Sequence, residues 1–143
     1  FLRTYDNSLI LEVEESIQND LKQRGIINPS DREEALIRSL ASLTIISDFE
    51  RAHNAIWASQ LALLRFLNTK DKGVDNAELV VYYNLGKQKF PMQYEDYPFE
   101  RWFGFLQSYN LVTKQDSRFC ISNKGREFLK YLVSTGRPDT PYG

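Results

Sequence analysis

The stretch "FERAHNAIWASQLALLRFLN", Phe49 to Asn68, constrains this chain more than any other. Read at helical spacing, Phe49, Ile56, Leu63 and Leu67 form one apolar stripe. Trp57, Leu61 and Leu64 form a second, and Ala55, Ala62 and Phe66 a third. Only a narrow arc through Arg51, Asn54 and Arg65 is polar. A helix apolar nearly all round has to be buried on several sides, so the pattern predicts a central helix from Phe49 to about Asn68. Its most apolar part, "AIWASQLALLRFL", is too short for a bilayer and is bounded by charge, so no membrane insertion is expected.

The 143 residues suffice for one domain with a real core, and 42% hydrophobic against 26% charged residues excludes wholesale disorder. The N-terminal third reads as two more helices. Ile10, Val13, Ile17 and Leu21 recur at three- and four-residue steps between about Ser8 and Arg24, and Gly25 stands where a left-handed cap belongs. In "NPSDREEALIRSLASLTII", Ser30 and Glu33 have capping-box spacing, while Leu36, Ile37, Leu40 and Leu43 share a face. Ser47 and Glu50 repeat the box spacing, so the pattern admits either a new helix near Asp48 or one long, bent helix. Residues 1–47 are expected to form a helical extension, for packing or for pairing two copies into a homodimer.

Downstream, Asp75 and Glu78 open a helix in "DNAELVVYYNLG" that Gly86 is expected to close. "KQKFPMQYEDYP" reads as a loop, and Pro98 begins the helix "FERWFGFLQSYN". Leu111–Lys114 and Arg118–Ile121 are short strands joined by "QDS", whose residues favour tight turns. Ser122 then caps a last helix with Phe128, Leu129, Leu132 and Val133 facing inward, stopped by Gly136 and Pro138.

The order from Phe49 is helix, short strand, helix, helix, hairpin, helix. That order, closed by "YNLVTKQDSRFCISNKGREFLKYL", resembles a winged-helix domain over roughly residues 49–134. The expected fold class is mainly α with a small β-hairpin wing: a winged helix over 48–137, with the N-terminal extension before it and a tail over 138–143. One departure stands out. A helix-turn-helix joins its helices by three or four residues, whereas about a dozen separate Gly86 from Pro98.

The resemblance implies a non-catalytic, transcription-regulator-like module whose helix Phe99–Asn110 enters the major groove of double-stranded DNA. Helical spacing puts Phe99, Trp102, Phe103, Leu106 and Tyr109 inward, and Glu100, Arg101, Gly104, Gln107 and Ser108 outward. Arg101, Gln107 and Ser108 are candidates for base edges. Lys114 and Arg118 flank the wing turn and, with Lys124 and Arg126, are candidates for phosphates. Residues 98–143 hold seven Lys/Arg against four Asp/Glu, whereas residues 1–68 hold seven against ten, so the C-terminal third is the basic part of a chain of net charge −1.

A protein-interaction module is the alternative, because the outward face offers one Arg cancelled by one Glu and the segment before it is aromatic. The single histidine, His53, points to the packed side and reads as structural. Cys120, alone, excludes an internal disulfide and a zinc set, and fits a cytoplasmic, reducing compartment. Phe90, Tyr94, Tyr97, Trp102, Phe103 and Phe105 read as core and loop anchors, and no catalytic residue, metal or cofactor is expected.

Overall fold

The computed structural model of the protein describes residues 8–137, so Pro138 and the 138–143 tail lie outside the described residues. It holds six helices and one two-stranded sheet: α1 (Ser8–Gln23), α2 (Pro29–Ala55), α3 (Ala58–Leu67), α4 (Asn76–Lys89), α5 (Phe99–Ser108), β1 (Val112–Gln115), β2 (Arg118–Ile121) and α6 (Asn123–Ser134). The fold is therefore mainly α with a small β wing. The chain divides into two compact units, Phe1–Ile45 and Ile46–Gly143.

In the first unit, α1 ends as its sequence predicts, with Gly25 at φ +72° and the Ile26 N–H bonded to the Leu21 carbonyl. Asn28, not Ser30, caps α2: its Oδ1 accepts the Ser30 N–H at 2.9 Å, and Pro29 takes the first helical position, where a missing N–H costs nothing. No helix begins near Asp48; α2 runs unbroken to Ala55.

The break falls instead at Ile56–Trp57, inside the helix expected to run from Phe49 to Asn68. Gln60 Oε1 accepts the Trp57 N–H at 2.7 Å and so caps the start of α3, while the Ile56 N–H completes the last turn on the Ala52 carbonyl. The first stripe is buried all the same, the second is buried but for the partly exposed Trp57, and the third is not, with Ala55 exposed and Ala62 and Phe66 only partly covered. Phe49, Ile56, Leu61, Leu63, Leu64 and Leu67 belong to one core. In the second unit α3 packs against α4, α5, α6 and β2, the central position its apolar circumference demands.

Asp75 caps α4 with a complete box, its carboxylate on the Glu78 N–H and the Glu78 carboxylate on the Asp75 N–H. Gly86 does not close this helix, which continues to Lys89. The connection to α5 is thus nine residues, Phe90 to Pro98, folded as successive turns that bury Tyr94.

β1 and β2 pair antiparallel, with Val112 opposite Ile121 and Gln115 opposite Arg118. Asp116 (φ 49°) and Ser117 (φ 67°) make the turn, both central residues in the positive-φ region that a two-residue hairpin favours. Val74 adds a one-residue bridge to Phe119 on the far edge of β2, in place of the short strand expected there. Ser122 caps α6 through the Gly125 N–H, and Gly136, at φ +63°, follows its end. Phe128 and Leu132 are buried and Leu129 is partly so, but Val133 is 83% exposed, one step round the helix from the stripe and out of the core.

Candidate nucleic-acid interface

α5 is oriented by what its inner face buries. Trp102, Phe103 and Leu106 are enclosed, with Phe99 and Tyr109 partly so. Trp102 Nε1 donates to Ser59 Oγ at 3.0 Å, and its carbonyl accepts Gln60 Nε2 at 2.7 Å. Both partners lie in the first turn of α3, so two neighbouring polar residues fix the rotation of α5 about its own axis. Ser59 Oγ is also 2.5 Å from Tyr94 Oη, and Tyr83 Oη donates to the Tyr97 carbonyl at 2.8 Å. This buried network ties the long connection to α3, α4 and α5 together, which a buried polar group requires if it is not to be left unpaired.

The outward side of α5 is as the spacing predicts. Glu100, Arg101, Gln107 and Ser108 are exposed, and a β-carbon on Gly104 would meet nothing within 4 Å. Arg101 lies over the Tyr97 ring at 5.7 Å. Burial raises the Tyr97 phenol above its ordinary pKa, opposed by the Gln60 hydrogen bond and then by the Arg101 charge. Ser108 spends its hydroxyl on the Phe105 carbonyl, 2.8 Å away.

The wing follows α5 after Tyr109, Asn110 and Leu111, and Phe103 meets Phe119 edge to face at 5.1 Å, locking β2 to α5. Arg118 Nε donates to the Lys72 carbonyl at 3.1 Å and Nη2 to the Gly73 carbonyl at 2.9 Å. The Lys70–Gly73 turn is thereby held against the wing. Gly73 is obligatory there: its φ is +74°, and a β-carbon would fall 2.6 Å from Cys120 Sγ. Lys72 and Arg118 are therefore neighbours, although 46 residues separate them. Lys114 Nζ sits 5.6 Å from the Phe119 ring on the same hairpin. Sequence reasoning missed Lys72 because the bridge from Val74 to Phe119 carries no local signal.

The remaining candidates stand differently. Lys124 is paired with Asp48 and partly buried; Arg126 is exposed on α6. Glu50 receives the Tyr131 hydroxyl and Arg137 Nη2, which hold its carboxyl below the usual range, the tyrosine contributing most. Cys120 is buried opposite Thr113. His53 is partly buried, and neither ring nitrogen has solvent or a hydrogen-bond partner among the described residues. Among the described residues no cluster of three or more His, Cys, Asp or Glu is placed to hold a metal, and no helix is long and apolar enough to cross a membrane.

The six aromatic residues singled out in the sequence divide. Tyr94, Trp102 and Phe103 are buried, while Phe90, Tyr97 and Phe105 pack against the same core from its edge. Trp57 joins them, 4.9 Å from Tyr94 and 4.5 Å from Tyr97. Comparison with protein-family models, curated proteins and solved structures finds no match.

Proposed function

We propose that the unit Ile46–Gly143 is a non-catalytic winged-helix module that binds duplex nucleic acid. The element order after Ile46, with a hairpin between α5 and α6, is compatible with that fold. On this reading α5 enters the major groove, whose width suits one helix, with Arg101 and Gln107 toward base edges. Gly104 leaves the middle of that face open for close approach.

The observation that carries the proposal is the Arg118 contact with the Lys72 and Gly73 carbonyls. It brings Lys72 beside Arg118 at the wing, on the hairpin that also carries Lys114 and that meets α5 through Phe119 and Phe103. Phosphate contacts from such a group supply affinity and register, while α5 supplies selectivity. Lys124 contributes less because Asp48 neutralises it. The buried, free Cys120 suits an intracellular, reducing setting.

The reading is tested by electrophoretic mobility or anisotropy with random duplexes at low salt. Micromolar association that weakens steeply with salt supports it.

One observation favours a second reading, a protein-docking module. Val81 and Leu85 on α4 are 52% and 56% exposed, Met92 is 86% exposed, and Leu85 lines a shallow surface hollow with Tyr82 and Phe90. An apolar surface next to the long connection is a feature that nucleic-acid binding does not use. A stable complex with a protein that is lost on Leu85→Asp, with no affinity for duplexes, would decide for this reading.

A further inference from the structure

We propose that the apolar faces of α1 and of the first half of α2 are covered by a second copy of this chain. The proposal does not rest on the nucleic-acid reading. Within the unit Phe1–Ile45, Leu21 is the one buried residue among those described, and α1 and α2 scarcely touch each other. Helices in proteins draw most of their stability from packing an apolar face, and here that packing is missing from the single chain.

Ten large aliphatic side chains between Leu9 and Ile45 are 43–73% exposed. Summed over the two helices, they expose roughly 1,000 Å² of mostly apolar surface, far beyond scattered single residues. That also exceeds the roughly 800 Å² that each partner gives to a stable protein interface. Leu36, Leu40 and Leu43 run along one line of α2, and Ile37, Ala41 and Ile45 along another, so this helix needs cover on two sides. From Ser39 to Ser47 every residue is exposed and none is charged. Charge depletion of this kind marks the desolvated centre of an interface rather than a solvated helix.

The charge along α1 selects a second copy over a foreign partner. Glu12, Glu14 and Glu15 lie in its first half, whereas Asp20, Lys22 and Arg24, at and just after its end, carry a net charge of +1, Arg24 being paired with Asp20 at 3.1 Å. Running antiparallel to its own copy, the acidic half of each helix faces the net-positive end of the other, with Lys22 toward the glutamates, twice over. A two-fold axis then meets every apolar stripe with an identical stripe, which is how self-complementary dimers close.

Sedimentation equilibrium of the full chain, from low to high micromolar, tests this. The expected result is twice the monomer mass. Leu40→Glu with Leu43→Glu should raise the dissociation constant roughly 100-fold or more, as charges at an interface centre do. Ser39→Arg removes no packing from the single chain and should weaken the dimer in the same direction. Near-ultraviolet circular dichroism of Trp57 and Trp102, both in the other unit, checks that the variants stay folded, and Val133→Glu on α6 should leave the mass unchanged. A wild-type chain that is monomeric at high micromolar, or variants that dimerise as it does, would overturn the proposal.

Discussion

The hydroxyl of Tyr94 occupies the space that a side chain on Gly86 would need: a β-carbon there would lie 2.0 Å from Tyr94 Oη and 3.0 Å from Ser59 Cβ. A glycine inside a helix normally costs stability. Here it lets the nine-residue connection between α4 and α5 fold its tyrosine into the core, where the hydroxyl meets Ser59. The long connection between α4 and α5 is thus a packed part of the unit.

Gly86→Ala should therefore destabilise the protein, by about 2 kcal/mol, even though alanine is the better helix former by roughly 1 kcal/mol. Gly104→Ala should do the opposite. That site is open, in mid-helix, and alanine should stabilise it by about 0.5–1 kcal/mol. Urea unfolding of both variants reads the contrast, and destabilisation of similar size at both sites would show that Tyr94 is not seated against α4.

Ser59→Ala removes one acceptor of the Trp102 indole N–H and one of the two side-chain partners of the Tyr94 hydroxyl, the other being Trp102. A loss of about 1 kcal/mol is expected, the usual net contribution of an intramolecular hydrogen bond. Ser108→Ala, which breaks an exposed bond to the Phe105 carbonyl, should change stability by less than roughly 0.5 kcal/mol. Thermal unfolding of the pair separates a network that orients α5 from a merely local contact.

The pH dependence follows from opposite shifts. The Glu50 carboxyl is lowered, first by the Tyr131 hydroxyl, so its contribution is present above its unfolded pKa and is lost as pH falls through the folded value, below about 4.5. Tyr131 is raised, first by the same hydrogen bond, and Tyr94 and Tyr97 are raised chiefly by burial. Their contribution is full below pH 10 and is lost as pH climbs through the raised values. Glu50→Gln should flatten the acid limb and also reduce the Tyr131 part of the alkaline limb, leaving the Tyr94 and Tyr97 part unchanged. Phenolate absorbance should show these tyrosines ionising only as the fold opens above pH 10; early, independent ionisation would contradict their packing.

Much of the second unit is legible in the chain. Asp75 with Glu78, Asp116 and Ser117 in the turn, and Ser122 before α6 act through bonds to near neighbours, so their signals are local. The inner and outer sides of α5 follow from spacing because one side faces a continuous core. The break at Ile56–Trp57 was hidden because apolar residues continue through it; it depends on Gln60, whose amide also binds the Trp102 carbonyl 42 residues away. Gly86 reads as a terminator until Tyr94 is placed against it. Lys72 and Asp48 likewise acquire meaning only through Arg118 and Lys124.

If the wing contacts phosphates as proposed, removing one of its charges should weaken duplex binding similarly for all sequences. Lys114→Ala is expected to reduce the slope of log affinity against log salt by about 1. Gln107→Ala should instead alter the preference among sequences and leave that slope unchanged. Equal effects of both variants on the salt slope would show that α5 and the wing do not divide the work as proposed.

The most direct measurement is an anisotropy titration of a labelled random duplex at low salt, comparing the wild type with the Arg101→Ala, Lys114→Ala, Arg118→Ala triple variant. Micromolar binding by the wild type, lost in the folded variant, is predicted. No association of the wild type at tens of micromolar, or equal binding by both proteins, would contradict the assignment of α5 and the wing as a nucleic-acid surface.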